Sequence, residues 1–378
     1  MACYQLAEAL TRAGVDVTFV LPKRIPLGHT PFKVQFANIE SVSAVALASG
    51  YITSQEYELL RKELVVDSYV FGLLEEVARY GKAARAIAAQ GTFDIIHAHD
   101  WLSFPAGLAA KEIIHKPLIS HIHATEFDRT GGHSINEAVY GIEKRGMKES
   151  DKVVTVSDFT KKMIVEKYDI PESKIRVIHN GINQKDYARV HANQAEILKL
   201  KQDGSRIVIF VGRLTLQKGP DYFVKVAQKI LEKDENVFFV VSGSGDMERR
   251  IIDEVAYLGI GEKFIFTGFL RGRELNEIYQ IADLFIMPSV SEPFGITSLE
   301  AGANGTPVLM SKQSGAGEVV RHVLKADFWD VDDMADKALS VLSHSALGAT
   351  LKKHNKEELK KLGWEKAAEK CILLYNEF

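Results

Sequence analysis

The chain has 378 residues, a formal net charge of −3 at pH 7 and 46% hydrophobic residues. This length exceeds what one hydrophobic core usually serves, so we expect two domains. The balanced charge includes no basic stripe of the kind that binds nucleic acid, and no apolar run approaches membrane-spanning length, so we predict no integral membrane segment. The only cysteines, Cys3 and Cys371, lie at opposite ends of the chain, so we expect no disulfide framework or metal site and a cytoplasmic location.

The first half of the chain alternates predicted helices and strands. An apolar face predicts a helix from Cys3 to Ala13, and a strand follows at 15–21. Residues 25–65 have weak periodicity and receive no assignment apart from a polar helix near 54–64. Further helices are predicted at 68–89, 136–148 and 158–168, and further strands at 93–97, 117–123, 152–156 and 174–178. This alternation predicts a parallel sheet with right-handed crossovers.

Two strand ends in this half carry candidate site residues. Asp100 and Trp101 end one strand, where they could hydrogen-bond to and stack on a sugar; equally, Trp101 could be a core residue and Asp100 a helix N-cap. His121 and His123 end the next strand, on one side of it, so a metal site has to be considered. No cysteine or clear carboxylate lies at ligand spacing, and we predict no zinc there.

The second half restarts the alternation. Its strands are predicted near 206–211, 237–241, 264–267, 284–287 and 307–310, with helices between them and the last helices from Asp332 to Lys361. The final segment is amphipathic, with Ala367, Cys371 and Leu374 spaced for one helix face. We predict domains at 1–183 and 184–361 and a separate terminal helix at 362–378.

The most informative stretch of the chain runs from Ser291 to Glu300 and follows a buried strand. Pro293 and Gly295 allow a tight turn before a helix. The first helical N–H groups, from Gly295 through Ile296 to Thr297, have no intrahelical partner. Together with the positive end of the helix dipole, these groups are predicted to bind a phosphate.

Charged side chains surround this predicted phosphate site. Glu292 precedes the helix and could contact hydroxyl groups, and Glu300, two turns later, could accept hydrogen bonds from a diol such as a ribose. Alternatively, they are a helix-start carboxylate and a solvated surface residue. Arg213 and Lys218 follow another apolar strand and come before a helix, where a diphosphate would need cations. The occurrence of the 212–219 and 291–300 segments in one chain favours a diphosphate-binding site over the structural alternative.

The pattern Gly-Arg-Leu-x4-Lys-Gly at 212–219, followed by Glu-Pro-Phe-Gly-x4-Glu at 292–300, resembles the retaining nucleotide-sugar glycosyltransferases of family 4. Within them it is similar to the glycogen- and starch-synthase-like branch, over essentially the whole chain. The resemblance implies the α/β fold called GT-B: two Rossmann-like doubly wound domains that face each other across a cleft, with the terminal helix crossing back to the first domain.

The resemblance also implies the reaction, which is transfer of a hexose, with glucose as first choice, from an ADP- or UDP-sugar to a carbohydrate acceptor. No metal or other cofactor is implied. Arg213 and Lys218 would hold the diphosphate, Glu292 the sugar hydroxyls and Glu300 the ribose, with His123 beside the reactive carbon. The other residues implied to line the donor pocket are Gly243, Phe269, Phe294, Gly295, Ile296 and Thr297, and those on the acceptor side are Asp100 and Trp101.

Other interpretations remain open. Ser242-Gly243-Ser244-Gly245 could be a dinucleotide fingerprint but lacks the third glycine. Asp330-Val331-Asp332 imitates a metal motif, but it precedes a helix, and helix capping explains it better. The rival functions are a non-catalytic nucleotide-sugar binding remnant and a phosphorylase-like enzyme, which would need a lysine-bound pyridoxal phosphate.

The resemblance is incomplete at the start of the chain. The family begins with a strand and a Gly-Gly-Leu-Gly loop ahead of the helix that is here Cys3 to Ala13, and neither is present in this sequence. Without this strand, two inner strands would lack a partner, at a cost of several kcal/mol. We therefore expect this form to be a shortened version of a longer enzyme, weak or inactive in transfer, whose donor domain still binds nucleotide.

Overall fold

The computed structural model describes residues 2–25, 28–37, 72–187 and 194–378. The chain divides into two compact units: unit 1 comprises Met1–Asn180 and Trp364–Phe378, and unit 2 comprises Gly181–Gly363. The sequence analysis placed the corresponding boundaries after residues 183 and 361. No helix within the described ranges is both long and apolar enough to cross a bilayer.

The helices are numbered along the chain. They are α1 (Ala2–Arg12), α2 (Leu73–Gln90), α3 (Asp100–Ile114), α4 (Glu126–Thr130), α5 (Glu137–Glu149), α6 (Asp158–Tyr168), α7 (Ala195–Gln202), α8 (Pro220–Leu231), α9 (Glu248–Tyr257), α10 (Gly272–Ile281), α11 (Ile296–Asn304), α12 (Val331–Ser343), α13 (Ser345–Leu359) and α14 (Trp364–Tyr375). Short 3-10 turns lie at Glu172–Lys174, Gln184–Tyr187, Leu216–Lys218, Gly261–Lys263 and Gly315–Glu318.

The strands form parallel sheets. They are β1 (Thr18–Leu21), β2 (Lys33–Phe36), β3 (Ile96–His99), β4 (Leu118–Ile122), β5 (Lys152–Thr155), β6 (Ile175–Val177), β7 (Arg206–Val211), β8 (Val237–Ser242), β9 (Phe264–Gly268), β10 (Leu284–Met287), β11 (Val308–Ser311) and β12 (Leu324–Ala326). Unit 1 has the sheets β1-β2 and β3-β4-β5-β6, and unit 2 has one sheet in the order β12-β11-β10-β7-β8-β9. The predicted α/β class with parallel sheets in two domains is confirmed.

Each unit has its own apolar core. In unit 1, Trp101, Phe104 and Ile122 are among the buried side chains that join α3 to the four-stranded sheet. In unit 2, the continuous apolar run of β7 is buried between helices, as expected for a central parallel strand. Strands β2 and β12 were not predicted: β2 alternates exposed and half-buried residues over only four positions, and β12 has only three. The predicted helix at 54–64 lies outside the described residues.

A cavity of about 1050 Å³ lies within unit 1 and is lined by β1, β3, α1 and α2. In the part of the chain that the structure describes, β1 pairs only with β2, and β3 pairs only with β4. One edge of each strand therefore has no strand partner among the described residues, although Val20 O of β1 accepts a hydrogen bond from Tyr80 OH. The expectation that a strand and a glycine loop belong ahead of α1 stays a prediction.

Candidate functional site

The predicted donor residues of unit 2 lie at the point where the strand order of the sheet reverses. Strand β7 pairs with β8 on one side and with β10 on the other, and the loops that follow β7 and β10 leave the same edge. Open parallel sheets bind ligands at such a point. The two loops are joined directly, because Val290 N donates to Gln217 O at 2.9 Å.

Lys218 and Glu292, one from each of these loops, form an ion pair. Lys218 Nζ donates to Glu292 Oε1 at 2.9 Å and to Oε2 at 2.7 Å, and Ser289 Oγ donates to the same carboxylate at 3.1 Å. The side chains are 21% and 6% exposed. Glu292 therefore holds the ammonium group at the end of the sheet, and the two residues that the sequence placed together are in contact.

The start of α11 is fixed by a neighbouring loop. Gly295 precedes the helix with φ of 98°, a left-handed conformation that favours glycine. Phe294 is buried, and its carbonyl accepts hydrogen bonds from Ala316 N at 2.6 Å and from Ser314 Oγ at 3.1 Å. Gly295 cannot supply a side-chain cap. The N–H groups of the first turn, at Ile296 and Thr297, have no intrahelical acceptor. Phosphate binding by them stays a prediction.

Glu300 lies just over one turn into α11 and is half-buried. The hydroxyl groups of Tyr187 and Tyr279 each donate to its carboxylate at 3.5 Å, which is long for such bonds. Burial raises the pKa of Glu300, and the two tyrosine hydroxyls only partly oppose this effect. The carboxylate thus has unused acceptor capacity in the free protein.

Gly243 is required by close packing of the strand-end loops. An added Cβ at Gly243 would lie 1.8 Å from Gly212 O, and one at Gly245 would lie 2.4 Å from Leu214 O. Arg213, in the same loop, donates to Gln217 Oε1 at 3.3 Å. These glycines bring the loops after β7 and β8 together, and packing is sufficient to explain them.

Phe269 and Asp330 lie in the segments that follow strands β9 and β12 of unit 2. Phe269 follows β9, is 68% exposed and lies 5.5 Å from the Arg271 guanidinium. An exposed aromatic ring at a strand end offers a surface on which a base can stack. Asp330 caps α12, since its Oδ1 accepts from Asp333 N at 3.1 Å. The capping explanation for Asp330 is therefore confirmed.

Unit 1 contains a cluster of four histidines at the ends of β3 and β4. His99 pairs with His121 across the two strands, and the rings of His121 and His123 stack with centroids 4.4 Å apart. His97 Nε2 lies 3.1 Å from His121 Nδ1, and His99 Nδ1 lies 2.9 Å from His123 Nε2. Side chains at alternate strand positions share one face, so two strands with two histidines each produce this array.

Burial lowers the pKa of all four imidazoles, and neighbouring histidines lower it further in His97, His99 and His121. The pKa of His123 falls to about 3. The rings are therefore uncharged at neutral pH. An uncharged imidazole has one nitrogen with a free lone pair, which can accept a proton or bind a metal ion.

Two contacts of this cluster were not predicted from the sequence. Cys3 Sγ, on α1, lies 3.6 Å from His123 Nε2, although 120 positions separate the residues. Tyr375 OH, on α14, lies 2.6 Å from His97 Nδ1 across 278 positions. Burial raises the pKa of the Cys3 thiol to about 12, with a smaller contribution from Asp100. No spacing rule could reveal these contacts, because they depend on how α1 and α14 pack.

Asp100 and Trp101 have different surroundings. Asp100 adopts a left-handed φ of 57°, and its carboxylate accepts from His123 N at 2.7 Å and from Ala124 N at 3.4 Å. Burial raises the pKa of Asp100 to about 6. His99, not Asp100, occupies the N-cap position of α3, so the N-cap alternative for Asp100 is wrong. Trp101 is 2% exposed within the apolar core, which corrects its assignment as an acceptor contact.

A buried charge network supports the segment after His123. Arg129 donates to Glu126 Oε2 at 3.1 Å and to Ala124 O at 3.0 Å, and it also pairs with Glu143. Tyr168 OH donates to Glu143. Because these charges are buried and paired, loss of one partner would leave an uncompensated charge. The sequence analysis missed this network, since Glu143 and Tyr168 lie on separate helices.

Comparison with known proteins gives consistent matches. The family described as Glycosyltransferase Family 4 matches residues 1–186, and the family described as Glycosyl transferases group 1 matches residues 194–358. An uncharacterized glycosyltransferase of Methanocaldococcus jannaschii is 35% identical over 295 residues, which are 75% of each chain. Glycogen synthase of Mycobacterium tuberculosis is 27% identical over 322 residues, covering 84% of this chain and 75% of that protein.

Solved structures share the fold of the whole chain. Sucrose-phosphate synthase from Thermosynechococcus elongatus aligns with a TM-score of 0.79 at 22% identity, covering 99% of this chain and 91% of the other. Anabaena HepE, in a complex with UDP and glucose, aligns with a TM-score of 0.73 at 15% identity, covering 100% of this chain and 95% of the other. These likenesses support the GT-B fold.

Proposed function

The chain belongs to the family 4 glycosyltransferases, and on that premise we propose that it transfers a hexose from a nucleotide diphosphate sugar to a carbohydrate hydroxyl with retention of configuration. The observation that carries the proposal is the Lys218–Glu292 ion pair beside the start of α11. Both residues lie where the strand order of the sheet reverses. Lys218 and the positive N-terminal end of the α11 dipole can bind phosphate, and Glu292 can bind hydroxyl groups.

The ion pair suggests how the donor is bound. In the proposed complex, Lys218 Nζ turns to the diphosphate, together with Arg213 and the first N–H groups of α11. Glu292 is then free to accept hydrogen bonds from hydroxyls of the transferred sugar. Glu300 accepts from the ribose, for which it has spare acceptor capacity, and the exposed ring of Phe269 supports the base. On donor binding, Lys218 thus exchanges Glu292 for the diphosphate, and Glu292 exchanges Lys218 for the sugar hydroxyls.

The chemical step follows from these charges. The bond between the sugar C1 and the diphosphate oxygen breaks, and its electron pair stays on the diphosphate. Lys218, Arg213 and the α11 dipole stabilise that negative charge as it develops. The acceptor oxygen bonds to C1 on the same face, and its proton passes to the leaving diphosphate. We assign His123, and Asp100 through its bond to His123 N, to the sugar and acceptor side of this reaction.

The donor classes to test follow from the relatives. Anabaena HepE has been solved with UDP and glucose, and a relative is a glycogen synthase, so UDP-glucose and ADP-glucose come first. With two cations and a helix N-terminus for the diphosphate, no divalent ion is needed to neutralise it. We therefore propose that transfer continues in excess EDTA.

The experiment incubates the purified chain with each nucleotide sugar and a short glucan, with and without EDTA. Release of nucleoside diphosphate and the anomeric configuration of the new bond are read by NMR. We expect a product with retained configuration from one donor, no loss in EDTA, and loss in Lys218→Met. The matched control is Lys233→Met, which removes an exposed lysine paired with Asp336 in the same unit. Binding of nucleotide without transfer by any donor would contradict the proposed transfer by this chain. That result would fit both a non-catalytic binding protein and the expected inactivity of a chain without the family's first strand and glycine loop.

A further inference from the structure

We propose that Cys3, His99 and His123 form a binding site for a divalent metal ion of the zinc class, and that an ion bound there blocks His123. The Cys3–His99–His123 triad joins α1 to the ends of β3 and β4, all within unit 1. The sequence analysis predicted no zinc at His123 because it found no cysteine at ligand spacing. Folding supplies that cysteine from 120 positions away.

The distances within the triad suit a tetrahedral ion. Zinc bonds of about 2.3 Å to sulfur and about 2.0 Å to nitrogen place a sulfur and a nitrogen about 3.5 Å apart, and two nitrogens about 3.3 Å apart. Cys3 Sγ lies 3.6 Å from His123 Nε2, and His99 Nδ1 lies 2.9 Å from that same nitrogen. All three ligand atoms lie within 4.8 Å of one another. Small side-chain shifts would therefore complete the geometry.

Two polar contacts compete for one nitrogen of His123. Cys3 Sγ and His99 Nδ1 both converge on His123 Nε2, which can satisfy only one proton donor well. His123 itself is 7% exposed. A metal ion at the convergence point would replace these competing contacts with three bonds.

The triad is accessible and leaves a coordination position free. Cys3 and His99 line the cavity of about 1050 Å³, so an ion can reach them. Three protein ligands leave the fourth tetrahedral position to water. Binding releases the Cys3 thiol proton to solvent, so one proton leaves for each ion bound. The nearby Asp100 carboxylate, 8% exposed, favours a cation when it is ionised.

Occupation of the triad would inhibit transfer, since a metal-bound His123 cannot contact the sugar. This inhibition rests on the proposed function, whereas metal binding does not. Because transfer itself is proposed to need no metal, a chelator that removes bound zinc should raise the transfer rate. His123 can then either contact the sugar during transfer or bind the metal ion, but not both at once.

The test titrates Zn²⁺ into the wild-type chain by calorimetry and records the absorption spectrum with Co²⁺. We expect one ion per chain and a sulfur-to-cobalt charge-transfer band. Cys3→Ser should weaken zinc binding at least tenfold and abolish the band. The matched control Cys371→Ser removes the other thiol, which belongs to no described metal-ligating group, and should leave both unchanged.

Two outcomes would overturn the proposal. No band in wild-type protein excludes the thiolate ligand, whether or not a variant folds. Zinc binding that survives Cys3→Ser but not His97→Gln would place the ion at the other trio, His97, His99 and His121. In an assay of sugar transfer, micromolar Zn²⁺ should reversibly inhibit the wild type and leave the transfer rate of Cys3→Ser unchanged. An inactive wild-type chain that still shows the band would contradict the proposed function alone.

Discussion

At the scale of single residues, Lys218 and Glu292 form an ion pair, and we propose a separate role in donor binding for each of the two charges. Because Glu292 is 6% exposed and bonded at both oxygens, its charge depends on Lys218 for compensation. The sequence motifs predicted both residues, since each follows an apolar strand of one parallel sheet. They could not show that the two groups pair in the free protein, because that depends on the contact between the two loops.

Glu292→Gln should separate diphosphate binding from sugar binding. The variant frees Lys218 for phosphate but loses a charged acceptor for hydroxyls, and such hydrogen bonds contribute about 1.5–3 kcal/mol. We expect calorimetry to show undiminished affinity for the nucleoside diphosphate and a transfer rate lowered about tenfold or more. Glu262→Gln, at an exposed position of the same unit, is the control. Equal loss of diphosphate and nucleotide-sugar affinity would contradict the assignment.

Glu300→Gln should stabilise the protein at neutral pH while weakening nucleotide binding. The folded-state pKa of Glu300 lies above its ordinary value, so between the two values the folded chain binds more protons than the unfolded chain. Stability therefore falls as pH rises through that range, so the negative charge on Glu300 destabilises the folded chain.

Thermal denaturation and calorimetry check this prediction. The melting temperature of Glu300→Gln should exceed that of the wild type at pH 7, and the difference should shrink near pH 4. Affinity for a nucleoside diphosphate at pH 7 should fall about tenfold with loss of the charged acceptor. A variant that is less stable than wild type at pH 7 would show that the carboxylate is well solvated or paired.

At the scale of elements, the loops after β7 and β10 are held together by backbone contacts. Gly219 has φ of 65°, and an added Cβ would lie 2.2 Å from Pro288 O. The motif Lys218-Gly219 thus combines the cation that we propose binds the diphosphate with a glycine that lets the loop approach the end of β10. The alternation of apolar runs predicted β7 and β10, whereas β2 and β12 were too short or too exposed for the same pattern to reveal them.

Gly219→Ala should be compared with Gly259→Ala. Gly259 has a similar φ of 70° but no atom within 4 Å of an added Cβ, so it isolates the conformational cost of alanine, about 1–2 kcal/mol. Gly219→Ala adds the collision of the new Cβ with Pro288 O. It should therefore lower the free energy of unfolding by about 1–3 kcal/mol more than Gly259→Ala does. Urea denaturation measures both. Equal losses would mean that the two loops can move apart freely.

At the scale of the whole molecule, the two ends of the chain belong to one unit. Helix α14 packs against α1, and Tyr375 reaches the histidine cluster. The spacing of Ala367, Cys371 and Leu374 predicted a buried face for this helix, and all three are buried. Which elements that face covers is a property of the folded unit and could not be derived from periodicity.

Leu374→Ala and Leu373→Ala test the packing of this helix. Leu374 is 3% exposed and its neighbour Leu373 is 68% exposed. Truncation of the buried side chain should cost about 2–5 kcal/mol of unfolding free energy, and truncation of the exposed one less than about 0.5 kcal/mol. Chemical denaturation followed by intrinsic fluorescence provides the comparison. Similar effects for both variants would indicate that α14 is not docked in solution.

The central claim is that Lys218 at the end of β7 binds the donor diphosphate, and one calorimetric measurement tests it most directly. Lys218→Met alone leaves a buried Glu292 charge and should lose about 3 kcal/mol of stability, whereas the double variant Lys218→Met/Glu292→Gln should regain most of it. The double variant should nevertheless bind UDP or ADP about tenfold or more weakly than the wild type. Wild-type affinity in a stable double variant would contradict the account.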